Sequence, residues 1–373
     1  VLQANIDTLL SDLLAMCESL GGASEGQAAS DSFDAIIGVG ERLTARFVAA
    51  LLRHSGLRSV ALDTTELIIT DNVRANANPD MEATRARMET QLLPMLERGI
   101  MPVLTGFIGA TTTGKPTTLG RGGSDYTAAI LGVCANATEI WIWTDVDGVM
   151  SADPLEIADA RSIRKLSITE ATEMAFFGAR VLHPRMLLLL RGREIALRVR
   201  NLFAPQQPGT LVRDSTAQLE DGLQAVTSIA AIALQTASSG SLAKVTALVD
   251  DVFFDTIGNH VDVTITTQSP MHTLICFVVP NAAGQEAVHT LNSALEDRLQ
   301  ENSKWQVKPV TIVTAIGTQD AISPTGCMKI VAALAGIPVL AIDYSPARCG
   351  ISVVINVRDT ELAVNRLHES ILQ

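Results

Sequence analysis

Two stretches of this sequence carry residue types that hold phosphate. Residues 109–116 read Gly-Ala-Thr-Thr-Thr-Gly-Lys-Pro, fitting the first seven positions of the nucleotide-cradling pattern G-x-x-x-x-G-K-[ST]. At the eighth, Pro116 has no hydroxyl for Mg²⁺ and no N–H to offer a phosphate. Thr117 to Gly120 read as strand or loop, not as the helix the pattern requires. The stretch is therefore expected to be a polar hairpin, with Lys115 outside any P-loop. The second stretch is Arg121-Gly122-Gly123-Ser124-Asp125. Its glycines allow close backbone approach, and Ser124 or Asp125 can cap the helix predicted from about Ser124 to Asn136. A helix N-terminus attracts anions, and Arg121 adds a planar fork for a carboxylate or phosphate. Many tight turns look alike, so this motif by itself is weak.

The elements that must position these residues follow from hydrophobic periodicity. Helices are predicted over residues 4–20, 35–53 and 81–98, a short strand at 59–62, a buried strand at 101–108 and another at 139–143. Alternating helices and apolar strands imply an α/β domain with a mostly parallel sheet. Thr144 and Asp145 end the last of those strands, where open α/β sheets place ligands; Asp147-Gly148 also reads as an ordinary turn. Beyond Asp214 the pattern becomes strand, helix, strand, strand, helix, repeated. It reads as two βαββαβ sandwiches of the ferredoxin-like kind. We place the first domain at 1–213 and the tandem region at 225–373, divided near 225–305 and 306–373 with intertwining allowed.

Bulk properties exclude several classes. The 373 residues are 47% hydrophobic, enough to bury a sizeable core, and the formal net charge is −12. That charge argues against nucleic acid and anionic membranes as partners, and no apolar run reaches the length of a membrane span. The five cysteines are scattered without a C-x-x-C pair and the six histidines lack metal-ligand spacing. Free thiols in a reducing, cytoplasmic setting and no structural metal are the expectation.

The combination of motifs is more specific than any one. Thr105-Gly106-Phe107-Ile108-Gly109, then Leu119 to Ala129, then Trp143-Thr144-Asp145-Val146-Asp147-Gly148-Val149 appear in order. Phe177-Gly178-Ala179-Arg180-Val181-Leu182-His183-Pro184 and Pro208-Gly209-Thr210-Leu211-Val212 follow, and Gly40-Glu41-Arg42-Leu43 stands on the early helix. Over nearly the whole chain this series resembles the aspartate kinases of the amino-acid kinase superfamily, whose tandem ACT domains the C-terminal repeats resemble. The resemblance implies a three-layer kinase sandwich followed by two ACT domains. It also implies Mg²⁺-ATP-dependent phosphorylation of the β-carboxylate of L-aspartate, the first step of lysine, threonine and methionine biosynthesis, and feedback by lysine or threonine. Dimers or higher homo-oligomers through the ACT region are implied too.

By position in the family, Arg121 would clamp the substrate α-carboxylate and Glu41 its ammonium. Phe107 would wall the pocket, and Ser124 and Asp125 would meet substrate or order the phosphate ligands. Thr144, Asp145, Met150 and Arg180 would face the nucleotide. His183 reads as a structural, hydrogen-bonded histidine. In the tandem region Ser241 and Leu242 at a helix start, with Asp262, would hold the effector; ordinary capping and an edge-strand charge explain them as well. Four positions depart from the family: Met150 and Leu155 replace Tyr and Arg, Arg180 replaces Lys, and Val39 replaces His. Residues 1–34 contain no match to the family's opening Lys-Phe-Gly-Gly-Thr-Ser strand, so the kinase domain is expected to be N-terminally incomplete. Two readings stand: a regulated aspartate kinase, or a catalytically incompetent truncated or regulatory amino-acid-binding protein of that family.

Overall fold

The computed structural model describes residues 2–21, 33–73, 75–179, 181–214, 222–236, 242–258, 260–261, 263–269, 271–280, 283–300, 305–318 and 322–371. The chain divides into two compact units, Val1–Ile142 with Leu182–Arg198, and Trp143–Val181 with Val199–Gln373. No helix among the described residues is long and apolar enough to cross a membrane.

In the first unit short parallel strands alternate with helices, as the periodicity predicts. Ser59–Leu62 pairs in parallel with Met101–Leu104, and Ile69–Thr70 with Ile108–Thr111. The single strand expected over 101–108 is broken at Thr105-Gly106-Phe107, where Phe107 takes left-handed backbone (φ 70°). Hydroxyls replace the interrupted ladder: Thr105 Oγ1 accepts the Thr64 N–H at 2.8 Å, and the Thr64 hydroxyl donates to the Ile108 carbonyl at 2.8 Å. Buried backbone groups at the break are thereby satisfied. The helix expected over 81–98 divides into Met81–Gln91 and Leu93–Glu97. Pro94 explains the division, since it lacks the N–H that would continue the ladder. Ile68, Met88, Leu119 and Ile130, all fully buried, form the core beneath these elements.

The second unit contains the parallel strand pair Lys165–Ser167 and Thr210–Arg213. It also holds a six-stranded antiparallel sheet in the order Val263–Gln268, Thr273–Val278, Leu223–Thr236, Trp305–Gly317, Gly350–Asn356, Val339–Tyr344. The two predicted repeats are therefore edge to edge in one sheet, and its two central strands, Leu223–Thr236 and Trp305–Gly317, pair along their whole length and serve both repeats. Each strand of that pair is apolar on both sides. Val226, Ile232 and Leu234 lie under the helices, while Ile229, Ala231 and Ala233 pack on the opposite face with Phe177. A strand buried on both faces reads as a continuous apolar run rather than as an alternation. Helix Leu242–Ile257 contributes Val245, Val249, Val252 and Phe253, one stripe at helical spacing.

A long-range polar contact crosses this unit. The Ser151 hydroxyl and His368 Nε2 are 2.8 Å apart and both residues are buried. Burial holds the His368 imidazole below its ordinary value of 6.5, against a raising influence of Asp159 and with a lowering one from Arg161. The unfolded chain protonates this histidine first. Its contribution to stability is thus present above about pH 6.5 and is lost as pH falls below that value. Urea unfolding is expected to show a loss of up to about 1.4 kcal/mol per pH unit in that window from this group. His368→Gln, which keeps a hydrogen-bonding side chain without the titration, should lose that part of the slope. An identical pH dependence in wild type and variant would reject the assignment.

Candidate active site

The site-bearing residues of the first unit surround one corner. The hairpin at 109–116 comes first, because the sequence made it ambiguous. Ile108–Thr111 turns back antiparallel onto Pro116–Thr118, as expected of a hairpin. Two of its loop N–H groups are spent internally: Gly114 N donates to Thr111 O at 2.9 Å and Lys115 N to Thr111 Oγ1 at 3.2 Å. A phosphate nest needs such groups free and convergent.

The chain then enters the turn Leu119 to Gly122. Leu119 N donates to Phe107 O at 2.8 Å, and Phe107 N donates to Thr127 Oγ1 at 3.0 Å. The two motifs 105–109 and 119–129 are thereby stitched together. Gly122 sits at φ +65°, and a Cβ there would fall 2.5 Å from the His183 ring, so geometry and space both require glycine. Helix Gly123–Cys134 begins directly after it. Gly122 is the N-cap and no side chain caps the helix, so the expected capping by Ser124 or Asp125 does not occur. A left-handed N-cap residue directs the chain past the helix end instead, leaving those two side chains for other contacts. Ser124 is exposed and lies against Gly106, where an added Cβ would meet its Oγ at 2.6 Å. Asp125 is half-buried in the first helical turn, and burial raises its carboxyl above the ordinary value. Arg121 is exposed between two left-handed glycines, Gly120 at φ +80° and Gly122.

The structure thus brings Phe107, Ser124, Asp125 and Arg121 to one corner. Glu41 is half-buried in the first turn of helix Val39–His54, whose N-cap Gly38 lies against Ile108 of the adjoining strand. The neighbouring Arg42 is structural, pairing with Asp63 and donating to Ala35 O at 3.2 Å.

One residue at this corner escaped the sequence reading. The Arg185 guanidinium donates to Leu119 O (2.7 Å), Ala77 O (2.9 Å), Asn76 Oδ1 (2.6 Å) and Asn78 Oδ1 (3.2 Å), and lies 4.4 Å from the centroid of the Tyr126 ring. It ties loop 76–78 to the turn that presents Arg121. Its position directly after His183-Pro184 was the available signal. His183 is structural, as expected: it caps helix Pro184–Leu190, with Nδ1 accepting from Arg185 N at 3.3 Å. Burial, with Arg185 and Arg121 nearby, lowers its basicity.

The residues expected to face the nucleotide are in the second unit. The Thr144 hydroxyl donates to Asp145 Oδ1 at 3.1 Å, and Asp145 is exposed. Asp147 accepts from Asn201 Nδ2 at 2.8 Å through its carboxylate and from the Ser162 hydroxyl at 2.6 Å through its carbonyl. Gly148, at φ +112°, has no room for a Cβ, which would lie 2.5 Å from Thr210 Oγ1. That hydroxyl accepts from Val149 N at 2.8 Å. Asp147-Gly148 is therefore a braced turn, and Ser162, Asn201 and Thr210 are its supports. Met150 is half-buried and bridges to Ser162, while Leu155 is exposed. Arg180 lies outside the described residues, as do Ser241 and Asp262. Leu242 opens helix Leu242–Ile257 and packs on its core.

Residues 5–201 match the amino acid kinase family. Among curated proteins, the chain is 31% identical over 371 residues to bifunctional aspartokinase/homoserine dehydrogenase 2 of Arabidopsis thaliana, covering 96% of this chain and 40% of that protein. It is 35% identical over 216 residues to lysine-sensitive aspartokinase 3 of Escherichia coli, covering 58% of this chain and 47% of that protein. It thus spans less than half the length of either relative. Among solved structures, E. coli aspartokinase III in complex with aspartate and ADP superposes with a TM-score of 0.81 at 26% identity, covering all of this chain and 82% of that one. The Clostridium acetobutylicum aspartate kinase (TM-score 0.72, 21% identity, 98% of this chain and 79% of that one) shares the fold.

Proposed function

The chain belongs to the amino acid kinase family, and from that premise we propose that it transfers the terminal phosphoryl group of ATP to the β-carboxylate of L-aspartate. The observation that carries the proposal is the corner of the first unit. There Arg121 stands on a turn of left-handed glycines at a helix start, beside Phe107 and Asp125. The similarity to a kinase solved with aspartate and ADP supports it.

The chemistry asks little of proton transfer. A β-carboxylate is ionised at neutral pH, so the nucleophile needs no general base, and catalysis reduces to positioning and charge neutralisation. In this proposal Arg121 binds the α-carboxylate through its fork, Glu41 the ammonium, and Phe107 walls the pocket. Ser124 and the Asp125 carboxyl order the cationic groups; a carboxyl raised by burial gains when a cation approaches it. Thr144, Asp145 and Met150 face the nucleotide, with Arg180 toward its phosphates. The turn at Gly148, packed against Thr210 and Ser162, fixes the backbone next to these residues. Mg²⁺ would be held chiefly by the phosphates, neutralising their charge.

The same proposal assigns the tandem repeats to feedback by an amino acid, lysine or threonine, and to homodimer formation. The outer strands of the six-stranded sheet, Val263–Gln268 and Val339–Tyr344, offer edges for pairing.

Hydroxylamine trapping tests the reaction on the full chain. Aspartyl hydroxamate should accumulate only with ATP, Mg²⁺ and aspartate together. A folded protein that gives no such signal, yet binds aspartate or lysine in calorimetry, would replace this reading with that of a non-catalytic amino-acid-binding protein.

A further inference from the structure

The segment that follows the residues expected to face the nucleotide is built into the tandem region. Residues 147–151 and 161–163 form a short ladder. Ser151 N donates to Arg161 O and Ile163 N to Val149 O, both at 2.8 Å, and the Ser162 hydroxyl donates to Asp147 O at 2.6 Å. Met150 bridges to Ser162 within it. Between the arms of the ladder, Ala152 and Ile157 are buried in one core with Val226, Ile330, Val364 and Leu367. Those four partners come from strand Leu223–Thr236 and from helices Pro324–Ala333 and Thr360–Glu369.

Ser151 is the joint between ladder and core. It is 3% exposed, and each of its polar groups is engaged. Its N–H goes to Arg161, its carbonyl accepts from Val226 N at 2.8 Å, and its hydroxyl oxygen accepts from Arg161 N at 2.9 Å. The same hydroxyl lies 2.8 Å from His368 Nε2. With Arg161 N as the donor to the oxygen, the hydroxyl proton is left for the ring nitrogen. His368 is 2% exposed and stands on helix Thr360–Glu369, directly after Leu367. Apolar contacts are non-directional, whereas a hydrogen bond weakens steeply once it is misaligned. The bond from Ser151 to His368 therefore sets where the ladder stands on the helix.

We propose, on the reading that Thr144, Asp145 and Met150 face the nucleotide, that His368 is a positioning residue for nucleotide binding. Through Ser151 the last helix of the tandem region holds residues 147–151 in the conformation that receives the nucleotide. His368 itself touches no substrate. Nucleotide affinity, and not aspartate affinity, is then the property that this helix controls.

Calorimetric titration of the full chain with MgADP tests this without requiring turnover. His368→Leu, which fills similar space without a hydrogen bond, should weaken MgADP binding about tenfold, the effect of one buried hydrogen bond. Aspartate binding should stay within about twofold of wild type, as expected of an independent site. His368→Gln should bring MgADP affinity back to within about twofold of wild type, because its amide oxygen can accept the same proton. Ser151→Ala removes the bond from the other side and should weaken MgADP binding at least as much, which keeps the test decisive if His368→Leu does not fold. Amide hydrogen exchange in the folded variant should rise over residues 147–163 and stay unchanged over 59–70. Wild type that binds no MgADP would overturn the kinase reading and this inference with it. Wild type that binds MgADP, with affinity unchanged in the two disrupting variants, would overturn the inference alone. So would equal losses of MgADP and aspartate binding, failure of His368→Gln to restore affinity, or a rise in exchange spread over the whole chain, each a mark of general destabilisation.

Discussion

Replacing Arg121 with Ala is expected to lower kcat/KM for aspartate by about a hundredfold or more while leaving the protein folded. A guanidinium that binds a carboxylate through two charge-assisted hydrogen bonds contributes on the order of 3 kcal/mol to its recognition. The turn that carries it has little freedom. Gly120 and Gly122 are both left-handed, Gly120 lies against Ala75 O, and Leu119 N is bonded to Phe107 O. Arg121 itself is exposed, so its loss opens no core cavity and circular dichroism should be unchanged. The rise should appear mainly in the aspartate KM, with the ATP KM within about threefold of wild type, because a clamp on the unreacting end binds ground state and transition state alike. Arg121→Lys should recover little, since an ammonium cannot reproduce the fork. Unchanged aspartate saturation in Arg121→Ala would reject the clamp.

The second large effect is expected at Arg185, and it is one of stability first. Arg185→Ala removes four hydrogen bonds, two of them to main-chain carbonyls, and the stacking on Tyr126. Leu119 is fully buried, so its carbonyl loses a partner where water cannot readily replace it. We expect a loss of about 2–4 kcal/mol in urea unfolding. Arg185→Lys should recover only a minor part, since one ammonium cannot reach carbonyls of both Leu119 and Ala77 with the same planar geometry. Because the lost contacts hold the turn before Arg121, the aspartate KM should rise in the folded fraction as well. A variant as stable as wild type would show that loop 76–78 does not depend on this residue.

Much of the architecture was legible because it rests on local rules. The helix over 4–20, most of the helix expected over 35–53, which divides at Gly38, the helix expected from about Ser124 and the two C-terminal repeats follow from periodicity and glycine placement. Pro116 was sufficient to remove residues 109–116 from the P-loop class, and the hairpin confirms the reasoning residue by residue. Besides the cap expected from Ser124 or Asp125, two element boundaries failed for identifiable reasons. Pro94 divides the helix over 81–98, a signal that was present but outweighed by the amphipathic pattern. The strand over 101–108 breaks at Gly106-Phe107, because Thr64 and Thr105, 41 residues apart, supply the hydroxyls that satisfy the interrupted backbone. No local pattern reports such a pair.

The sequence by itself determined the alternation of elements, the residue types at the corner, and the class of chemistry that ionised carboxylates, glycine turns and an arginine fork can support. Those depend on side-chain chemistry and on spacing along the chain. Only the tertiary structure decided which side chains are left for ligands. It made Gly122 the helix cap in place of Ser124 and Asp125, gave Arg185 the task of bracing the turn, and joined two repeats into one sheet. Each depends on hydrogen-bond partners and packing neighbours that are distant in sequence or set by how helices cover a sheet, and these exist only once the chain has folded.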